Sequence, residues 1–271
     1  MSPHIERNVE RFSGFADTYD AYRPQPPAII VDILTRLAGV EMPDLVVDMG
    51  SGTGLSTRMW AGRARQVIGI EPNPDMRREA ELRTADLPDA SNVSYREGIS
   101  TATGLPDGCA DIVTCSQSFH WMEPGPTFVE VARILRDGGV FAAYDCDWPP
   151  TMSWEAEQAY LDHAKTYHRF QEESGDSRTA GRWPKDEHLA GIQESGLFRY
   201  VKEVAVHSVE SGNAERLVGL ALSFGGVAAL LKRGLTEDEI GITELRNAAQ
   251  RILGDEPSPW YFSYRIRLGV K

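Results

Sequence analysis

The stretch Leu45-Val46-Val47-Asp48-Met49-Gly50-Ser51-Gly52-Thr53-Gly54 constrains this chain more than any other. A short apolar run passes through an acid and ends in glycines at every second position. Apolar runs bounded by glycine read as strands buried on both faces. Glycine belongs where the backbone turns sharply and approaches a ligand with no Cβ in between. The pattern places a helix directly after the loop, its free N–H groups available to a negative group.

The surrounding chain repeats the strand-then-helix rhythm. A helix over Ala28 to Leu37, with Ile29, Ile30, Ile33, Leu34 and Leu37 on one face, stops at Gly39. Further strands fall at Val67 to Ile70, Val93 to Arg96, Ala110 to Cys115 and Val140 to Tyr144, with a helix over Pro126 to Leu135 before the last. This alternation predicts an α/β fold, Rossmann-like, with a mostly parallel seven-stranded sheet and helices on both faces. Beyond Tyr144 the rhythm loosens. Helices are expected over Trp154 to Gln171, Asp186 to Ser195, Ala214 to Leu231 and Glu237 to Leu253, and strands over Arg199 to Val209 and Tyr261 to Leu268. The whole 1–271 reads as one domain. Segments about 1–27, 148–183 and 212–254 have no place in a bare sheet and read as a helical lid. Ser223-Phe224-Gly225-Gly226 interrupts its helix and reads as a hinge or a close ligand approach.

The second strand ends in Ile70-Glu71-Pro72-Asn73, about twenty residues beyond the glycine loop. A carboxylate there can accept both hydroxyls of a ribose. Dinucleotide sites require a third glycine three residues after the second. That slot holds Leu55 in one register and Thr57 in the other, so a nicotinamide or flavin site fails in both.

Composition narrows the partners. The formal net charge is −12, from 40 acidic against 28 basic residues, and such a surface repels phosphate backbones and anionic lipids. No nucleic acid and no membrane are expected as partners. The three cysteines contain no CxxC pair, and no leader or membrane-length apolar run is present, so a cytoplasmic location is expected. The oligomeric state is not readable from these features.

These motifs together resemble the class I S-adenosylmethionine (SAM)-dependent methyltransferases, of which Val47 to Gly54 is similar to motif I. The chain most resembles their small-molecule branch (methyltransferase type 11), which includes the ubiquinone-biosynthesis and trans-aconitate methyltransferases. The likeness runs from about Phe12 to Val140. It includes Gly98-Ile99-Ser100-Thr101-Ala102-Thr103-Gly104-Leu105-Pro106, Ser116-Gln117-Ser118-Phe119-His120-Trp121, Leu135-Arg136-Asp137-Gly138-Gly139 and the aromatic-Arg-Pro segment around Tyr19 and Arg23. The resemblance implies SAM as cofactor and a small organic acceptor. It implies that Gly50, Ser51 and Gly52 pass beneath the methionine moiety, whose ammonium Asp48 orients. Glu71 would hold the ribose and Pro72 pack on the adenine, while Ser100 and Thr101 meet the adenine edge. Ser116 and Gln117 would line the methionine side, and Tyr19 and Arg23 would close over the cofactor. The chain departs from the pattern at Thr101, where an acid is common, and at Asp137, where proline is usual.

A sulfonium methyl is already activated, so transfer needs positioning and exclusion of water more than catalytic apparatus. A base is required only for an acceptor that arrives protonated. His120, just past the end of the fourth strand, is the candidate base, or else a cofactor contact beside Trp121. Asp145 and Asp147 read as loop caps rather than metal ligands, and no metal site is expected. Trp121 and Trp148 are candidate substrate contacts. Tyr160, His163 and Tyr167 share a helix face and form either core packing or a substrate wall. The same motifs would equally serve a SAM-binding protein that does not methylate, a sensor or a SAM-assisted cyclase.

Overall fold

A computed structural model of the chain describes residues 16–173 and 182–271. The expected lid residues 1–15, and most of the Gly/Ser/Asp-containing loop expected after Gln171, lie outside the described residues. The chain enters through α1 (Ala16–Tyr22) and α2 (Ile29–Leu37) and then alternates. β1 (Leu45–Met49), β2 (Gln66–Ile70), α3 (Pro74–Ala85), β3 (Val93–Arg96), β4 (Ala110–Ser116), α4 (Pro124–Ile134) and β5 (Leu135–Cys146) build the parallel half. α5 (Trp154–Glu173), α6 (His188–Glu194), β6 (Tyr200–Gly212), α7 (Ala214–Leu222), α8 (Gly225–Lys232), α9 (Ile242–Ile252) and β7 (Ser258–Val270) complete it.

The described residues form one seven-stranded sheet in the order β3-β2-β1-β4-β5-β7-β6. β1 to β5 pair in parallel, and β7 runs antiparallel between β5 and β6. Strand order reverses between β1 and β4, so a crevice opens at their carboxyl ends, where such sheets bind ligands. Alternation in β1 sends Val46 to one core and Val47 to the other. The first core gathers α2, α7, α8 and α9 around Trp60, Trp260, Phe262 and Tyr264. The second packs Phe119, Phe128, Phe141 and Phe198 ring against ring.

α3 starts cleanly because Asn73 caps it, accepting from the N–H groups of Asp75 and Met76, with Pro74 at its first position. The helix expected after the glycine loop does not form; only a 3₁₀ turn, Thr57–Trp60, stands there. Local side chains draw the segment elsewhere. Thr57 Oγ1 donates to Asp48 Oδ2 at 2.7 Å, Ser56 bonds the Tyr144 hydroxyl, and Asn92 Nδ2 donates to the Trp60 and Ala64 carbonyls. Such side-chain bonds compete with a helical ladder.

The helix expected over Ala214 to Leu231 is two helices, α7 and α8, bent by 74°. At the break Ser223 Oγ donates to the Leu220 carbonyl at 2.6 Å, and Gly225 and Gly226 follow. The final helix starts at Ile242 rather than Glu237, after the left-handed Gly241. β5 and β7 extend beyond the predicted strands at both ends, and β6 runs on to Gly212; β7 pairs with β6 along its whole length and with β5 from Val140 to Cys146, while Leu135 at the start of β5 pairs with Ala110 of β4. Among the described residues no single helix is long and apolar enough to cross a membrane. The bent pair α7–α8 buries Leu217, Leu220, Val227 and Leu230 in the core.

Candidate functional site

The glycine loop crosses the crevice between β1 and β2. The N–H groups of Gly50 and Ser51 both donate to the Ile70 carbonyl, at 2.8 and 3.2 Å, which turns the chain back over β2. Gly50 and Gly52 are left-handed, with φ of +65° and +55°. They differ in surroundings. A Cβ on Gly50 would stand 2.7 Å from Ser118 Cβ, whereas one on Gly52 would meet nothing within 4 Å.

Glu71 leaves β2 and turns back to that loop. Its Oε2 accepts from Gly52 N–H at 3.0 Å and its Oε1 from Asn73 N–H at 2.9 Å. Burial raises its pKa, against the pull of the two backbone donors and of Arg77. Asp48 lies beneath the loop and does not line the cavity. It is buried and accepts from Thr57 Oγ1 and Thr114 Oγ1, at 2.7 and 2.8 Å, and burial raises its pKa to about 6. It braces the turn from below.

The loop forms one side of a cavity of about 270 Å³. Of the sequence-predicted residues, Tyr19, Arg23, Gly50, Ser51, Gly52, Glu71, Pro72, Ser100, Thr101, Ser116, Gln117, His120, Trp121, Trp148 and Tyr167 line it. Asp48, Tyr160 and His163 do not. Tyr160 is buried in the first core. His163 is buried one turn before Tyr167 on α5, the two rings 5.7 Å apart, with Nδ1 3.1 Å from the Ile240 carbonyl. The helical stripe therefore splits: Tyr167 reaches the cavity and its two companions do not.

The opposite wall comes from the cap. The Arg23 guanidinium sits among three rings, 4.9 Å from Tyr19, 5.0 Å from Trp148 and 4.3 Å from Phe224. Its Nη2 donates to the Ser223 carbonyl at 3.2 Å, a group freed by the α7–α8 break, while its buried Nε has no partner among the described residues. The interrupted helix thus brings Phe224, Gly225 and Gly226 to the cavity.

Sequence reasoning did not identify Asp145, Lys185 or Arg182 as site residues. Asp145 ends β5 almost fully buried, 3% exposed, at the centre of a charged cluster. Lys185 Nζ lies 2.7 Å from its Oδ1, and Arg267 Nη1 3.4 Å from its Oδ2. The Nδ1 atoms of His120 and His188 each lie 3.6 Å from it. These neighbours hold the Asp145 carboxyl well below its usual range despite its burial. Burial lowers the His120 pKa to about 3, outweighing the opposing pull of Asp145, so its imidazole is neutral near pH 7. Lys185 also reaches Gln117 Oε1 at 3.1 Å, and Gln117 holds an uncommon left-handed φ of +53°. Asp147 pairs instead with Arg265. The only hint in the sequence was Arg182-Trp183-Pro184-Lys185, two cations in an aperiodic stretch of an acidic chain.

A glycine loop and a strand-end carboxylate, joined at the switch point of a mostly parallel sheet, define the nucleoside-binding α/β class. Within that class, the methyltransferase-domain family matches residues 47–143, which carry both elements. A methyltransferase-like protein of Schizosaccharomyces pombe is 30% identical over 178 residues, 58% of this chain and 67% of that protein. A protein of Dictyostelium discoideum named as a methyltransferase is 26% identical over 226 residues, 83% of this chain and 80% of its own length. The fold is similar to that of a structure described as a type II methyltransferase from Anaeromyxobacter dehalogenans. Its TM-score is 0.64 at 21% identity, covering 92% of this chain and 98% of that one. The chain belongs to the class I SAM-dependent methyltransferases.

Proposed function

We propose that this enzyme transfers the methyl group of S-adenosylmethionine to a small organic acceptor held in the same cavity, chiefly by positioning. The observation that carries this reading is the complementarity of the two walls. On the loop side, Gly52 leaves open the space a Cβ would fill, and among the described residues the buried hydroxyls of Ser51 and Thr53 have no partner. Opposite them stands the Arg23 guanidinium, whose Nε has none among the described residues. These polar groups suit the amino-acid and sugar portions of the cofactor.

Gly50, Ser51 and Gly52 would run beneath the methionine moiety, with Asp48 acting from below the turn. Glu71 would take the ribose, Pro72, Ser100 and Thr101 the adenine, and Ser116 and Gln117 the methionine side. Arg23, with Tyr19, would close over the carboxylate. Bound there, S-adenosylmethionine supplies an electrophilic methyl on sulfur. The chain's own residues would align the acceptor and keep water out. The described parts of segments 1–27, 148–183 and 212–254 would act as the lid, with Trp121, Trp148 and Tyr167 as acceptor contacts. His120 lines the cavity beside Asp145 as a neutral imidazole; with its pKa lowered to about 3 it is a weak base and would serve chiefly as a contact that orients the acceptor. A covering lid leaves little room for a polymer, which favours a small acceptor over nucleic acid.

The test is calorimetric binding of S-adenosylmethionine, followed by transfer of its labelled methyl into a small-molecule extract. Binding with label incorporation is expected. Absence of binding ends the proposal. Binding without consumption by any extract points instead to a sensor or cyclase.

A further inference from the structure

We propose that Lys185, with Arg182 at the rim, binds an anionic group of the acceptor, so that the substrate is a small acid rather than a neutral molecule. This rests on the methyl-transfer reading and adds the acceptor's charge to it. The chain as a whole is strongly acidic, yet among the described residues three cations line the cavity, Arg23, Arg182 and Lys185, against the two carboxylates Glu71 and Glu123. Glu71 is engaged at the glycine loop by two backbone donors. Among the described residues neither Arg23 nor Arg182 pairs with a carboxylate. Arg23 belongs to the cofactor side in the reading above, which leaves the other two for the acceptor.

Lys185 is fixed in place. Its ammonium reaches Asp145 Oδ1 at 2.7 Å and Gln117 Oε1 at 3.1 Å, and an ammonium has three donors, so one remains. Asp145 does not neutralise it fully, because Arg267 draws on the same carboxylate from the other oxygen. Arg267 also pairs with Glu203 at 2.8 Å. With Arg182 added, this corner holds three cations against two carboxylates. Positive charge in excess at the wall and rim of a cavity favours an incoming anion.

The corner is also continuous with the reaction centre. Trp183 N–H donates to the His120 carbonyl at 2.9 Å. The Arg182 guanidinium lies 5.3 Å from the centre of the Trp121 ring, which packs 4.8 Å from that of His120. Gln117, the second anchor of Lys185, belongs to the methionine side of the cavity. An anion held on Lys185 would therefore keep the body of the acceptor beside His120 and Gln117. Carboxylate and phosphate share this chemistry, and the experiment separates them.

A deproteinised small-molecule extract of the source organism is divided on an anion-exchange resin, and each fraction is incubated with the enzyme and methyl-labelled S-adenosylmethionine. Label is expected in the product of the retained fraction. Phosphatase treatment of that fraction beforehand abolishes labelling if the anion is a phosphate ester and leaves it intact if it is a carboxylate. Labelling confined to the unretained fraction overturns the proposal while the methyl-transfer reading stands. Labelling of neither fraction removes both. With the retained fraction as probe, Lys185→Gln and Arg182→Gln should each raise the apparent KM at least fivefold and leave the Kd for S-adenosylmethionine within threefold. Arg182 is exposed, so its variant folds even if loss of Lys185 loosens the Asp145 cluster, and Lys185→Arg should restore most of the lost affinity. An unchanged KM in both variants, or an equal loss of cofactor affinity, refutes the assignment.

Discussion

Glu71 Oε2 accepts the Gly52 N–H at 3.0 Å, a contact that ties the end of β2 to the glycine loop leaving β1. The carboxylate is thereby held beside the space that opens in front of Gly52. Changing Glu71 to Gln keeps the shape but leaves one carbonyl oxygen for donors that now have two. The variant should fold, with Tm only slightly lowered, and bind S-adenosylmethionine about tenfold to a hundredfold more weakly, the loss of one hydrogen bond to a charged group at about 1.5–3 kcal/mol. Titration calorimetry reads this directly. Unaltered affinity would remove Glu71 from the site.

Gly50 and Gly52 make a paired test, since both are left-handed and only one is crowded. Alanine at Gly52 carries about 1–2 kcal/mol of left-handed strain and points into empty cavity. Cofactor affinity should fall steeply with a modest loss of stability. Alanine at Gly50 adds an overlap with Ser118 Cβ at 2.7 Å and Met122 Cε at 2.9 Å. Overpacking of that kind costs about 1–3 kcal/mol more. Urea unfolding should rank wild type above Gly52→Ala above Gly50→Ala.

The halves of the site differed in how much their sequence revealed, for a physical reason. Glu71 and the loop are local: a strand, a turn and the next strand end determine their geometry, and backbone rules make that visible. Asp145 looked like a loop cap because its partners, Lys185, His188 and Arg267, lie 40, 43 and 122 residues further along and meet only when β7 pairs with β5. The 3₁₀ turn at Thr57–Trp60 was missed for the same reason, since Asn92 reaches it from the turn before β3 and Tyr144 holds the preceding Ser56 from β5. The break at Ser223 was legible from its two glycines. That it frees a carbonyl for Arg23, 200 residues away, was not. His163 and Tyr167 share a helix face in sequence, yet the turn before α9 covers one and the cavity receives the other.

The cap helix α1 depends on one close approach. A Cβ on Gly219, in the middle of α7, would stand 2.2 Å from Tyr22 Cδ1. Tyr22 closes the helix that carries Tyr19 and directly precedes Arg23. Gly219→Ala should displace α1 at a cost of about 1–3 kcal/mol in packing. Because Arg23 moves with it, S-adenosylmethionine affinity should fall several-fold although Gly219 does not line the cavity. Adding Tyr22→Ala should return part of that affinity by making room. Calorimetry on the single and double variants checks the coupling, and additive losses would show that α1 does not act through this contact.

The two buried groups of the centre impose opposite pH dependences on stability. His120 falls from 6.5 to about 3 on folding. Below pH 6.5 the unfolded chain takes a proton that the folded chain refuses, so its contribution is complete above 6.5 and is lost as pH drops toward 3. Asp48 rises from 3.8 to about 6. Its folded form keeps a proton that the unfolded chain releases, so its contribution is complete below 3.8 and is lost as pH climbs through 6. Between pH 4 and 6 the two nearly cancel, each being worth at most about 1.4 kcal/mol per pH unit. Replacing His120 by Gln removes the first alone. Urea-unfolding free energies of that variant should therefore fall as pH rises from 4 to 6, relative to wild type, by up to that slope. Parallel pH profiles for the two proteins would show that His120 titrates normally and is not the desolvated imidazole beside Asp145.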